Sequence, residues 1–288
     1  MRLGSSLQEA AESSSIPHIL HQTWRSTSLP RAFHRYIRSW QQLQPTWQYL
    51  LHTDAENEAL VTQEYRWLRR RYQRLSAIQR ADMMRYIYMH RWGGVYADLD
   101  VGLLRPLAPL IGSSNASVLL GQEPLAHALL LESRARQVCN AVIISVPRHP
   151  FWLHVLREIS RGSFESDPVG STGPRMLERL VRSWHDGARP IAAARSGAVA
   201  ILPPELLYPT FDPMQSGTLR SRCSNLRSFA SAQQLSQRDT AAAQAVCTEL
   251  QAHRFQPWVP VGAFTNHYWS HTWIRGAEKV NTRDAAPL

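Results

Sequence analysis

The sequence predicts an α/β fold, strands covered by helices, and three observations predict it. From residue 16 the chain alternates strand, helix, strand, helix, the order that builds a parallel sheet. Residues 76–92 carry a long helical run that a Gly-Gly pair stops just before the strand-forming VYADLDV. The chain has 288 residues, 44% apolar and 19% charged, which suits one large core with room for an insertion and excludes a disordered chain.

The elements follow in order. Residues 1–15, MRLGSSLQEAAESSS, are polar and Ser-rich and read as a disordered N-terminal segment. IPHILHQTW (16–24) is a short buried strand, with Pro17 at its start, where a missing N–H is tolerated. Phe33, Tyr36, Ile37 and Trp40 set helical spacing over 30–43, and Pro45 ends it. TWQYLLHTD (46–54) is a second strand, whose Asp54 can cap the next helix. In the helix over 76–92, Ala77, Ala81, Met84 and Tyr88 line one face, joined by Ile78 and Ile87. Gly93 and Gly94 stop it, because glycine alone adopts the left-handed cap cheaply. VYADLDV (95–101) then reads as a strand ending near its aspartates.

After RPLAPL (105–110) come a short strand, SVLLG (117–121), and CNAVIISVPRHPFW (139–152), a strand leading into a helix at 151–161. STGPRMLERLVRSW (171–184) is a helix opened by a Gly-Pro loop, with Pro174 in its first turn. AVAILPPELLYP (198–209) is a strand with a proline-rich exit. Residues 213–254, rich in Ser, Gln and Ala, read as a variable insertion with a helix at about 241–253. There is no internal repeat.

Composition narrows the function. The formal charge is 32 − 22 = +10, nearly all from arginine, with Lys279 the only lysine. That excess suits an anionic ligand such as a nucleotide, or an anionic membrane surface, and codon bias accounts for much of it equally well. The only dense cluster, Arg66, Arg69, Arg70, Arg71 and Arg74, reads as the solvated face of a helix, and no nucleic-acid module accompanies it. The three cysteines have no C-x-x-C spacing, which argues against zinc. Cys223 and Cys247 can pair in an oxidising compartment, leaving Cys139 free, and the sequence leaves this open. No Gly-rich loop with P-loop spacing occurs, which argues against an NTPase. Asn115-Ala116-Ser117 is a glycosylation sequon of a kind that often arises by chance.

Asp98 and Asp100 carry the first chemical signal. Carboxylates two apart on a strand point the same way, and hard cations such as Mg²⁺ and Mn²⁺ take carboxylate oxygens while leaving positions for phosphate. A D-x-D alone also describes any exposed strand end. Asp82 and Arg85 add to it. They lie three apart on the preceding helix, so they are neighbours on its surface, either as an ordinary ion pair or as a pair that holds a polyhydroxyl ligand. His18, His149 and His154 read as structural or surface residues, and Thr172-Gly173-Pro174 as a helix-opening turn.

IPHILHQTW, RADMMRYIYMHRWGGVYADLDV, NAVIISVPRHPFW, STGP and HYWSHTW together resemble the Och1-type DXD sugar transferases, glycosyltransferase family 32, which include inositolphosphoceramide mannosyltransferases. The resemblance covers most of 16–273 and is most specific over 80–101. It implies a GT-A fold, a Rossmann-like mixed sheet flanked by helices, with the D-x-D at a strand end. Residues 16–275 would form the catalytic domain and 276–288 a C-terminal tail. It implies a retaining hexosyl transfer, mannose favoured, from a nucleotide-sugar (GDP-mannose, with UDP-sugars as the alternative) to a glycan or a glycolipid such as inositolphosphoceramide. The implied ion is Mn²⁺ or Mg²⁺.

By motif, His21, Gln22, Thr23 and Trp24 would line the nucleotide pocket. Asp82 and Arg85 would hold the transferred sugar, and Asn140 would reach it from the cleft. Asp98 would contact ribose and metal-bound water, Asp100 would ligate the metal, and His267 would complete the set, with His271 as its competitor. Trp269 and Ser270 would lie near the diphosphate. A non-catalytic carbohydrate- or lipid-binding relative is the alternative, and nucleic acid is not an expected partner. Such enzymes usually sit in the Golgi membrane. Here no signal-peptide stretch precedes IPHILHQTW, and no apolar run approaches the roughly 20 residues of a membrane span, so the resemblance implies a secretory-pathway location that no anchor in this chain explains.

Overall fold

The computed structural model describes residues 15–162, 167–186, 197–272 and 284–286. The N-terminal segment 1–14 expected to be disordered, and most of the C-terminal tail, lie outside the described residues. Ten strands are described: β1 (Ile19–Trp24), β2 (Leu29–Pro30), β3 (Gln48–Thr53), β4 (Gly94–Ala97), β5 (Val101–Leu103), β6 (Ala116–Gln122), β7 (Val138–Ser145), β8 (Ala198–Leu202), β9 (Thr265–His267) and β10 (Ala285–Ala286). The helices that matter for the site are α1 (Arg31–Leu43), α2 (Asp54–Gln63), α3 (Ala77–Arg91), α4 (Leu125–Leu130), α5 (Pro150–Arg161) and α6 (Pro174–His185).

Six strands form one mixed sheet in the order β3-β1-β4-β7-β6-β8. β3, β1 and β4 run parallel, β7 is antiparallel to both its neighbours, and β8 is parallel to β6. The strands alternate between two cores, as a period of two requires. Tyr96, Val118, Leu120 and Ile143 face a core shared with α3, α5 and α6. Val95, Ala97, Leu119, Val142 and Ile144 face a second core that holds Trp40 of α1 and Tyr208. This is the mixed α/β architecture, with the D-x-D at a strand end, that the sequence predicts.

The turn from α3 into β4 needs both glycines. Gly93 and Gly94 have φ of +64° and +88°, where side chains are strained. A Cβ on Gly94 would sit 2.6 Å from the carbonyl oxygen of Ile19, and one on Gly93 would sit 2.5 Å from the nitrogen of Pro147. The bare backbone lets β4 slide in beside β1.

Several elements differ from the sequence reading. VYADLDV is not one strand. β4 stops at Ala97, Asp98 to Asp100 form a turn closed by the Val101 N–H on the Asp98 carbonyl (3.0 Å), and β5 leaves to pair with β9. The cap of α2 is Thr53, in a reciprocal capping box with Glu56, and Asp54 is the first helical residue. The strand at 198–209 ends at Leu202, because Pro203 and Pro204 open a short helix. The cluster at 66–74 is a 3-10 turn and a four-residue helix in which Arg71 is buried. The segment read as a variable insertion holds the expected helix and two more before it. It contains α7 (Ser216–Ser224), α8 (Leu226–Ala232) and α9 (Gln237–Ala252), packed against α4 in their own apolar cluster. Cys223 and Cys247 are disulfide-bonded within it, and Cys139 is free and buried.

Candidate active site

A cavity of about 520 Å³ opens at one edge of the sheet. Its wall collects the ends of β1, β3, β4 and β6 and the start of antiparallel β7: Thr23 and Trp24, Asp54, Asp98 and Asp100, Glu123, and Cys139 and Asn140. Ligands of open α/β sheets collect at such edges, because loops there differ freely while the sheet fixes their roots.

Asp98, Asp100 and His267 come together there, with one ligand atom from each lying within 4.8 Å of the others. Asp100 reaches them because the turn after β4 points it at β9. His267 Nε2 is 3.3 Å from Asp100 Oδ1, and the Ser270 N–H and hydroxyl both donate to Asp100 Oδ2 at 2.7 Å. Burial pushes the Asp100 carboxyl up, but His267 and Ser270 outweigh it and hold its pKa below the ordinary range. Burial lowers His267, and Asp100 more than offsets it, so the net shift is upward. Two carboxylates and an imidazole with converging atoms fit a divalent cation of the Mn²⁺ class.

Asp98 is held differently. Tyr96 donates to its Oδ1 at 2.6 Å, and Arg85 Nη1 lies 3.2 Å from the same atom. Arg85 also pairs with Asp82 at 3.1 Å and donates to the Asn140 carbonyl at 2.7 Å. Asp82 and Arg85 are therefore not a surface pair. They are 4% and 3% exposed, so they lie inside the cavity wall and are screened little by water. Asp82 takes two more hydrogen bonds, from Thr172 Oγ1 at 2.8 Å and Asn140 Nδ2 at 2.9 Å. Burial raises its pKa, with Arg85 and Thr172 opposing the rise. Arg85 Nε and Trp24 Nε1 are buried donors without a partner among the described residues, and both residues line the cavity. Such donors are costly unless a ligand meets them.

The placement of the sequence-predicted residues is uneven. Thr23, Trp24, Asp82, Arg85, Asp98, Asp100, Asn140, His267, Trp269 and Ser270 all border the cavity. His21 does not. It is fully buried, stacked among His52, Tyr88 and Trp92, with Nε2 on the Gly93 carbonyl at 3.0 Å. Gln22 is also out of reach. Its amide braces the turn before Asp98 by donating to the Ala97 and Asp98 carbonyls at 3.3 Å each. His271 is tied to Asp212 at 2.8 Å and stands outside the metal-type trio. The sequence reading missed Glu123. It follows the apolar strand β6 with no spacing or motif to mark it, and only the sheet order puts it beside β7.

Residues 30–117 match a family described as the glycosyltransferase sugar-binding region containing a DXD motif. Mannosyl phosphorylinositol ceramide synthase CSH1 of Saccharomyces cerevisiae is 32% identical over 195 residues, 66% of this chain and 48% of that protein. Inositol phosphoceramide mannosyltransferase 3 of Schizosaccharomyces pombe is 30% identical over 179 residues, 60% of this chain and 47% of that protein. The chain thus spans about half the length of the curated relatives it matches. The resemblance read from the sequence is borne out. Among solved structures, PaToxG glycosyltransferase covers 64% of this chain and is itself 76% covered, at 13% identity and a TM-score of 0.44, a likeness too loose to carry an assignment. The DXD region contributes Asp82, Arg85, Asp98 and Asp100, while the His267–Ser270 wall lies outside it.

Proposed function

We propose that this chain is a metal-dependent retaining glycosyltransferase that moves a hexose, mannose by preference, from a nucleotide-sugar to a glycolipid or glycan. The observation that carries the reading is the convergence of Asp98, Asp100 and His267 beside a buried Asp82–Arg85 pair in one cavity. Mannose is the favoured sugar and inositolphosphoceramide the favoured acceptor, because the relatives are named for them, and GDP-mannose is the favoured donor on the family resemblance read from the sequence.

Each group then has a task. Asp98, Asp100 and His267 would hold Mn²⁺ or Mg²⁺, and the ion would supply positive charge to the diphosphate as it departs. Trp24 would cover the nucleoside with its unpartnered indole N–H available to it, and Thr23 would line the same end. Arg85 Nε would donate to the sugar, while Asp82 would sit near the anomeric centre, its carboxylate oriented by Thr172 and Asn140. Trp269 and Ser270 would close the diphosphate side. The Cys223–Cys247 disulfide supports an oxidising, secretory-pathway compartment. Among the described residues no helix is long and apolar enough to cross a membrane.

The test is a donor screen. The protein is incubated with GDP- and UDP-sugars and Mn²⁺, and nucleotide release and nucleotide binding are measured with and without EDTA. Release from GDP-mannose that EDTA abolishes is the expected result. No binding and no release with any donor would sink the proposal.

A further inference from the structure

We infer that Glu123 is the residue that receives the acceptor: its carboxylate takes a hydrogen bond from the hydroxyl that is glycosylated. The inference rests on the donor reading above and adds a wall to it. Glu123 stands at the end of β6, and its N–H pairs with the Gln137 carbonyl at 2.8 Å, one step before β7 begins. Since β7 lies between β6 and β4, Glu123 borders the cavity on the side across β7 from Asp98. Asp82, Arg85 and Asn140 already account for the other side.

The carboxylate is aimed, not loose. The Asp212 N–H donates to His127 Nε2 at 2.9 Å, so that nitrogen is the acceptor of the ring. The proton of neutral His127 therefore sits on Nδ1, which faces Glu123 Oε2 at 3.4 Å. His127 is buried and is packed against the Trp269 ring at 4.6 Å, and Trp269 in turn packs against His267 at 4.1 Å. Glu123 is thus fixed through two rings to the cation trio. Its side chain is 12% exposed, and Oε1 has no hydrogen bond among the described contacts. Oε2 lies against the His127 ring at 3.4 Å, neither oxygen takes a hydrogen bond among the described contacts, and the carboxylate that borders the cavity keeps its acceptor capacity for a ligand.

A carboxylate in this position selects by charge. It accepts from a hydroxyl and repels a phosphate. The acceptor must therefore present an uncharged polyol edge to Glu123, and any phosphate it carries must lie away from this wall. That arrangement separates the two anionic partners of one cavity. The donor's diphosphate goes to the trio, and the acceptor's hydroxyl goes to Glu123.

The test is Glu123→Gln, which keeps the shape and removes the charge. GDP binding with Mn²⁺ is measured by titration calorimetry, and transfer is measured from GDP-mannose to a short-chain inositolphosphoceramide in detergent micelles and to methyl α-mannoside. Thermal melting and the Glu123→Asp variant serve as checks on folding. The expected result is an acceptor KM raised at least about tenfold, the size of a lost hydrogen bond to a charged group, with GDP affinity held within about twofold. Glu123→Asp should recover part of the loss. An unchanged acceptor KM overturns the inference and leaves the donor reading intact. Equal losses in GDP affinity and acceptor KM also overturn it, because Glu123 would then serve the metal. A native chain that binds no donor sinks both together.

Discussion

The cavity has two walls built in opposite ways. The first is made by β1, β4 and α3, and its charged residues fall within one stretch of sequence, Asp82 to Asp100. The second is made by residues 265–272, which reach Asp100 across 170 positions through Ser270. The first wall is set by backbone fit, since its glycines allow one approach of β4 to β1. The second is set by side chains. Trp269 and His271 hold φ of +51° and +54°, and that backbone persists because Ser270 is anchored on Asp100 and Trp269 on the Thr210 carbonyl. A wall fixed by backbone tolerates loss of a side chain, and a wall fixed by side chains does not tolerate loss of its anchors.

The largest break is expected at the first wall. Gly94→Ala forces a Cβ to 2.6 Å from the Ile19 carbonyl at a φ of +88°. It should cost roughly 4 kcal/mol in urea unfolding, strain and overpacking combined. A variant with native stability would mean that β4 has slack against β1. Next is the support of the second wall. Cys223→Ser with Cys247→Ser opens a loop of 24 residues and should cost roughly 3 kcal/mol. Amide exchange should quicken first in α7 to α9, with β1 and β4 still protected, and uniform quickening would mean the two regions unfold as one.

Where the walls meet, Asp100→Asn should weaken Mn²⁺-dependent GDP binding about 100-fold while leaving the melting temperature nearly unchanged. Asparagine keeps the oxygen that accepts from Ser270 and loses the charge. Unchanged binding would remove Asp100 from the metal set.

Protons act on the walls with opposite signs. At the first, burial lowers His21, and burial lowers His52 from 6.5 to about 4. Both histidines are neutral in the fold and ordinary when unfolded. Their contribution is complete above pH 6.5 and is lost as pH falls toward 4. At the second wall, without metal, His267 is raised, so its contribution is complete below its ordinary value and is lost as pH rises. Stability of the metal-free protein should fall by about 1 to 2 kcal/mol between pH 6.5 and 4.5, and His52→Gln should flatten that slope. A slope that persists in the variant would place the titration elsewhere.

The same division explains what was legible in the sequence. The helix stop at Gly93-Gly94, the strands β1, β3 and β7, and the block from Asp82 to Asp100 could be read because local spacing sets them. The break after Ala97 could not, because the partner that draws β5 away is β9, more than 150 residues on. His21 was misplaced for a similar reason. The strand is continuous, and only the ring stack with His52, Tyr88 and Trp92 shows which face its imidazole takes. Only the last helix of the 213–254 segment could be read, because the polar composition of the rest hides a small apolar cluster that closes against α4. Asn140 was placed by its motif, whereas Glu123 depends on strand order alone.

The smallest effect is the most discriminating within the second wall. His267 and His271 lie four apart in HYWSHTW, and the motif favours His267 with His271 as its competitor. In the structure His267 Nε2 faces Asp100, while His271 Nε2 is spent on Asp212 at 2.8 Å. Asp212 in turn presents its N–H to His127, so His271 braces the loop and does not touch the trio. His271→Gln should therefore change Mn²⁺-dependent GDP affinity less than about threefold, against about tenfold or more for His267→Gln. Calorimetric titration of both variants with GDP and Mn²⁺ decides it. A reversed order would mean the loop swings on binding, exchanging the Asp212 contact of His271 for the metal, and the anchored second wall would then be a moving one.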